Sequence, residues 1–230
     1  MNANYPVVDI SHWQENPNFE TMHDAGVVGV IHKATESTGY VDADYAPRRP
    51  KAEAAGLLWG AYHFLRPGNM VSQARHFVDV AGDIDLYAAD HEDPGVSLDD
   101  LKTFLREVEN LTGKKPIVYS GHVIKDQVHG RDPDLVDNPL WLAHYTTGTP
   151  TWPKDTWPTW WLWQYTDKGS VPGISGYADC NRYQGSADNL VNEWAGEDAP
   201  PTPEPVPEPG EVTVVITIEA KGATISVVTK

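Results

Sequence analysis

Along residues 1–195, short apolar runs alternate with segments of helical periodicity, and the order strand, helix, strand recurs. The runs that read as strands are Val7–Ile10, Val27–His32, Leu58–Phe64, Leu86–Asp90, Pro116–Ser120, Leu140–His144, Trp161–Tyr165 and the weaker Tyr177–Asn181. Between them, helical spacing covers Phe19–Ala25, Asp44–Ala55, Val71–Ala81 and Leu98–Leu111. The last of these carries its own punctuation, with Ser97 as a cap, Asp100 three residues on, and Gly113 as a stop. Around Trp152, Trp157 and Trp160, the prolines at 150, 153 and 158 predict loop. Strand and helix in alternation predict a parallel sheet with helices outside. Eight strands in fewer than 200 residues predict an α/β fold, an irregular TIM-like (β/α) barrel whose last helices are shortened. An open doubly wound sheet would carry a glycine-rich phosphate turn after an early strand. Ser11-His12-Trp13-Gln14 stands there instead.

The pattern changes at residue 196. Residues 196–210 alternate proline with small and acidic residues and read as an extended linker. Residues 211–230 then return to period-two alternation, Glu211–Glu219 and Thr224–Thr229 flanking Lys221-Gly222, which predicts a β-hairpin. The domains expected are therefore a barrel at 1–195, a linker at 196–210 and a hairpin at 211–230. A lone hairpin is marginal in water. This one is expected to form a homo-oligomer by pairing with its own copies, or to dock on a partner.

Charge removes whole classes of partner. The chain has 17 Lys and Arg against 33 Asp and Glu, a net charge of −16. That leaves no electrostatic footprint for nucleic acid or an anionic membrane. No apolar run reaches the roughly 20 residues of a membrane helix, so no membrane insertion is expected. One cysteine, Cys180, excludes an internal disulfide framework and a cysteine-rich zinc site. Nine Trp and ten Tyr against four Phe favour aromatic faces with a polar handle, suited to stacking on sugar rings.

In a barrel the chemistry sits at the C-terminal ends of the strands. Asp9 ends the first strand, Asp90-His91-Glu92 the fourth and Asp179-Cys180-Asn181 the eighth, with Tyr62, Tyr119, Trp141, Tyr145 and Gln164 at the others. Asp90 and Glu92, two residues apart on a strand, share a face about 6–7 Å apart. Two close carboxylates do not both ionise cheaply, so one becomes a general acid. The eighth strand closing on the first brings Asp179 beside Asp9. Four acids in an aromatic mouth match the needs of glycosidic cleavage.

These residues resemble a known family. Val8-Asp9-Ile10-Ser11-His12-Trp13-Gln14, Ile31-His32-Lys33-Ala34-Thr35-Glu36, Gly60-Ala61-Tyr62-His63-Phe64, Asp90-His91-Glu92, Leu140 to Tyr145, Trp163-Gln164-Tyr165 and Asp179-Cys180-Asn181 are similar, in order, to the motifs of family 25 glycoside hydrolases, the Chalaropsis-type lysozymes. The resemblance covers roughly residues 5–195. It implies an enzyme that cleaves the β-1,4 bond between N-acetylmuramic acid and N-acetylglucosamine in peptidoglycan, with no cofactor and no metal. By position it makes Glu92 the proton donor, and Asp90 the carboxylate assisting the substrate's 2-acetamido group with net retention. Asp9 and Asp179 become flanking acids, and Tyr62, Tyr119, Trp141 and Gln164 the lining of the saccharide cleft. The N-terminal residues lack a basic and apolar leader. With cell-wall chemistry this leads to an expected phage endolysin, made in the host cytoplasm and reaching the wall once another protein permeabilises the membrane.

Two positions depart from the family pattern. Ser37 stands where a glycine follows Ala-Thr-Glu, and His91 stands inside Asp-x-Glu, where it is expected buried, neutral and hydrogen-bonded. Glu36 is expected to be structural, and Lys33 to pair with an acid. The same residues admit two rival functions. His12, His63 and His144 with Asp9, Asp90 and Asp179 would make a metal-dependent deacetylase or amidohydrolase, but no His-x-His ends a strand. A non-catalytic glycan-binding barrel would not need all four acids.

Overall fold

Period-two alternation becomes two nested apolar layers. In the computed structural model, which describes residues 6–195, 218–220 and 223–225, the strands β1 (Val7–Ile10), β2 (Gly29–Glu36), β4 (Leu58–Phe64), β5 (Leu86–Asp90), β6 (Ile117–Ser120), β7 (Leu140–Ala143), β8 (Leu162–Gly169) and β9 (Ala178–Tyr183) close into an eight-stranded barrel. A two-residue strand, β3 (Tyr40–Val41), adds antiparallel to the end of β2. Closure is made by β1, which pairs parallel with β2 and antiparallel with β9. The inner face takes Val7, Ile31, Leu86, Ala88, Ile117, Tyr119, Trp141 and Leu162. The alternate positions Val8, Ile10, Val30, Tyr87, Val118, Leu140 and Leu142 face the surrounding helices.

The sheet is mixed, which corrects the expectation of a parallel one. β9 runs antiparallel to both neighbours. Only residues 170–177 connect β8 to β9. A parallel return needs a crossover of a dozen residues or more, so the chain folds straight back. β2 also starts later and runs further than the Val27–His32 expected, because its polar end, Lys33 to Glu36, still pairs with β4.

Helices α1 (Phe19–Asp24), α2 (Tyr45–Ala54), α3 (Met70–Ala81) and α4 (Leu98–Thr112) lie where their periodicity puts them. Ser97 accepts from the Asp100 amide and Asp100 accepts from the Ser97 amide, a closed capping box, and Gly113 ends α4 at φ 72°. Leu101, Phe104, Leu105 and Val108 on its inner face are buried, with Phe104 stacked 5.0 Å from the His63 ring. Beyond β6 only the short α5 (His122–Gln127) remains before β7, and the long connection to β8 is loop. The helices late in the barrel are therefore shortened, as the spacing predicts.

A helix that sequence patterning did not predict, α6 (Ala187–Ala195), plugs the bottom of the barrel. Its Leu190 and Trp194 join the inner layer. The indole of Trp194 lies against Gly29 and Gly60, where an added Cβ would stand 2.8 and 3.0 Å from the ring. Those two glycines are thus a close-approach requirement. Among the described residues, no helix is long and apolar enough to cross a membrane.

Ser37 adopts φ 53°, a left-handed conformation at the end of β2, and its amide donates to the Phe64 carbonyl. The residue type departs from the family glycine while the backbone keeps the glycine conformation. Ser37→Gly is therefore expected to stabilise the fold by roughly 0.5–1 kcal/mol. Thermal unfolding checks this, and a lower Tm in the variant would contradict it.

Packing divides the chain into Met1–Ala199 and Pro200–Lys230. In the second unit, β10 (Ile218–Ala220) pairs antiparallel with β11 (Ala223–Ile225). The proposed linker, the Lys221-Gly222 turn and the remainder of 211–230 lie outside the described residues.

Candidate active site

Several barrel strands are apolar at the lower end and polar at the mouth. On the inner face of β1, Val7 is followed by Asp9; on β5, Ala88 by Asp90; on β8, Leu162 by Gln164. β9 runs the other way, so Asp179 precedes Asn181 and still reaches the mouth. The result is a cleft of about 260 Å³. All eight residues singled out from sequence line it: Asp9, Tyr62, Asp90, Glu92, Tyr119, Trp141, Gln164 and Asp179.

Asp9 is the centre of a buried hydrogen-bond network. Its two oxygens accept from Gln164 Nε2 at 3.0 Å each, and Oδ2 also accepts from Asn181 Nδ2 at 2.8 Å. Gln164 cannot flip, because its Oε1 accepts from the Tyr119 hydroxyl at 2.8 Å and the Tyr145 hydroxyl at 2.7 Å. Asn181 is fixed likewise by Trp141 Nε1, 2.6 Å from its Oδ1. Trp141 and Gln164 are thus almost wholly buried. They form the floor of the cleft and orient Asp9. Burial raises the Asp9 carboxyl to about 6, against the opposing pull of the Asn181 and Gln164 hydrogen bonds.

Asp179 is the register partner of Asp9 across β1 and β9. Burial and the Asp9 charge push its carboxyl up to about 8. The two acids meet as closure predicts.

Asp90 is the last residue of β5, so Glu92 lies beyond the strand. The ladder nonetheless continues by one bond, from the His91 amide to the Tyr119 carbonyl at 2.8 Å. That is why Glu92 emerges on the same side as Asp90. Asp90 is buried, and its Oδ1 has no hydrogen-bond partner. Burial, then the nearby Glu92 charge, hold the Asp90 carboxyl well above the ordinary carboxylate range, partly opposed by Lys33. Burial also raises Glu92, with His122 opposing. The same fields and burial push the Tyr62 and Tyr119 phenols up, keeping them neutral.

Between these acids His91 turns outward and is fully buried. Its Nε2 donates to Gln127 Oε1 at 2.9 Å, and burial lowers its pKa, so it stays neutral. Lys33 pairs with Glu36 at 2.6 Å, and Arg66 pairs with Glu36 at 2.8 Å. These two cations hold Glu36 ionised, its pKa lowered against the cost of its partial burial. Glu36 is therefore a structural ion-pair acid. The three histidines of the metal reading are dispersed. His12 contacts Asp42 at 2.9 Å, His63 sits between Thr35 and Gln73 in the outer layer, and His144 accepts from the Thr151 amide. Among the described residues, no three His, Cys, Asp or Glu side chains are grouped to hold a metal ion.

The tryptophans of 141–163 divide between the cleft and the surrounding packing. Only Trp141 among them lines it. Trp157 donates to the Asn138 carbonyl, Trp160 packs on Trp163, and Trp161 packs on Tyr183 and Trp194. Tyr145 and Asn181, placed at strand ends by the sequence but given no role there, also belong to the site. Period two holds the signal for both, since each lies two residues from an inward-facing neighbour, Ala143 and Asp179.

Comparison with known proteins agrees with this geometry. Lysozyme M1 of Streptomyces globisporus is 30% identical over 204 residues, covering 80% of this chain and 69% of its own. The N,O-diacetylmuramidase of a Chalaropsis species is 27% identical over 205 residues, covering 79% of this chain and 95% of its own. The bacterial lysozyme structure from Streptomyces coelicolor matches with a TM-score of 0.75 at 30% identity, covering 81% of this chain and 95% of its own. Residues 8–174 match the profile of the glycosyl hydrolases family 25, and the chain belongs to that family.

Proposed function

We propose that this protein is an N-acetylmuramidase, a lysozyme that cleaves the β-1,4 bond between N-acetylmuramic acid and N-acetylglucosamine of peptidoglycan. Glu92 protonates the leaving glycosidic oxygen. Asp90 accepts a hydrogen bond from the N–H of the substrate's 2-acetamido group. The acetamido oxygen then attacks the anomeric carbon as the bond to the leaving oxygen breaks, giving an oxazolinium-like intermediate. Water opens it as Glu92 takes the proton, with net retention. The observation that carries this reading is the buried Asp90 Oδ1 without a hydrogen-bond partner at a four-acid mouth. An unpaired buried acceptor costs free energy until a donor arrives, and the amide N–H of a bound sugar is such a donor. Its arrival stabilises ionised Asp90 and leaves the shared proton on Glu92, although free Asp90 holds a proton strongly.

Asp9, ionised above about pH 6, adds negative potential where the sugar ring becomes cationic, and Asp179 joins it as pH nears 8. The Gln164 and Asn181 clamp keeps Asp9 in place throughout.

The test is mass spectrometry of the products released from purified peptidoglycan after borohydride reduction. Reduced N-acetylmuramic acid termini are expected. Reduced N-acetylglucosamine termini would overturn the bond specificity. Free stem peptides or acetate with uncut strands would overturn the glycosidase reading.

A further inference from the structure

The turn after β1 is held more firmly than a surface turn requires, and it presents one unburied indole. Trp13 is 79% exposed and stands on the cleft rim with Ser11. Around it the turn is tied by a set of hydrogen bonds. The Gln14 amide donates to the Ser11 carbonyl at 3.2 Å, the Ser11 amide to Gln14 Oε1 at 3.0 Å, and the Trp13 amide to Ser11 Oγ at 3.3 Å. Arg48, itself buried, donates to the carbonyls of Ser11 at 2.8 Å and Gln14 at 2.7 Å. Gln14 Nε2 reaches the carbonyl of Tyr177, a second rim aromatic with an exposed ring.

Behind the indole stands a charged brace. The His12 ring lies 4.7 Å from the Trp13 ring. Asp42, with its side chain fully buried, accepts from the His12 backbone at 3.1 Å, contacts His12 Nδ1 at 2.9 Å, and accepts from the Asp44 amide at 3.0 Å. The His12 and Asp44 bonds hold the Asp42 carboxyl below its usual range although burial opposes them. An exposed indole is unfavourable in water. Fixing it in advance removes the ordering cost of a ligand that stacks on it.

We propose that Trp13 is a stacking platform for a pyranose ring of the glycan strand beyond the sugars flanking the cut, and that His12 and Asp42 are positioning residues that hold it there. The inference rests on the lysozyme reading and adds a preference for long strands. β1 is separated from β5 by β2 and β4 around the barrel, so the platform faces the Asp90–Glu92 pair from elsewhere on the rim. A glycan strand running from the acids towards β1 along the shared cleft reaches it.

The experiment compares kcat/KM of the full chain on a peptidoglycan tetrasaccharide and on long soluble glycan strands. In Trp13→Ala the ratio of long over short is expected to fall about tenfold, mainly through KM. Trp13→Phe should recover part of it, and Asp42→Asn should lower the ratio less than Trp13→Ala. In a Glu92→Gln background, calorimetry should show the same loss in affinity for long strands. Equal losses on both substrates, as from a general structural effect, or an unchanged ratio would overturn the platform. A wild-type protein that cuts neither substrate would instead overturn the lysozyme reading itself.

Discussion

Glu92→Gln is expected to lower kcat by about three orders of magnitude while leaving glycan binding in place. Glutamine keeps the size of the side chain and its acceptor oxygen but has no proton to give. No hydrogen bond of the floor network passes through Glu92, so Asp9, Gln164 and Asn181 should keep their geometry. The substitution also removes a negative charge that raises both Asp90 and Asp9. The variant should therefore fold at least as stably as the parent. Clearing of a peptidoglycan suspension gives the rate, and calorimetry with soluble strands gives the affinity. A variant that clears at the parental rate would show that a different acid donates the proton, and Asp90 would be the next to test. In the wild type, activity should decline as pH rises through the elevated pKa of Glu92, because the donor loses its proton there.

Asp179→Asn is expected to act in opposite directions on stability and rate. In the native state Asp179 titrates at about 8, whereas its ordinary value is 3.8. As pH rises above 4 the unfolded chain therefore releases a proton that the native state keeps, and stability falls until pH passes about 8. Asp9, raised to about 6, contributes the same slope over a narrower window. The protein should be most stable in mild acid. Asparagine abolishes the Asp179 share, whose upper bound from these two values is about 5 kcal/mol at pH 8; solvent screening at this partly exposed side chain reduces it, so the variant should gain on the order of 2 kcal/mol there and little at pH 4. It should also lose activity as pH approaches 8, where the wild-type carboxyl ionises and adds its charge at the sugar ring. Thermal melts across this pH range give the result. Parallel Tm curves for variant and parent would show that Asp179 does not carry the cost. The expected pattern is a site that holds like charges together at the expense of the fold.

Much of this molecule is written in simple periodicities. β1, β4 and β5 begin and end at the residues their apolar runs mark. Each inner face is either apolar or functional, so there is little ambiguity about register. The capping box at Ser97 is likewise local chemistry, readable without the fold. Strand direction is different. Period two is the same read forward or backward, so the reversal of β9 was not visible in Tyr177–Asn181. What encodes it is the length of the connection, residues 170–177. α6 was missed because Leu190, Val191 and Trp194 are few apolar positions beside an acidic, proline-rich stretch. The close partners of Trp194, Gly29 and Gly60, are more than 130 residues away in sequence. The positions of the eight candidate residues were legible because strand ends in a barrel converge. What each one touches was not. Trp141 reads as a sugar-facing aromatic, yet its indole is spent on Asn181.

Closure through β1 and β9 also bears on how the protein is made. Of the barrel strands, synthesis delivers β1 before all the others and β9 after them. The Asn181 amide that steadies Asp9 is also bonded to the Val7 carbonyl, across 174 positions of the chain. A growing chain can form the βα units one after another as they leave the ribosome. It cannot shut the barrel until residue 183 has emerged. Before that moment Asp9 lacks both its clamp from β9 and its acidic neighbour, and α6 has yet to seal the base. Closing a loop of this length is a slow, entropy-limited step. Hydrolytic competence therefore arrives in one late event, and truncated translation products carry most of the fold without a working centre.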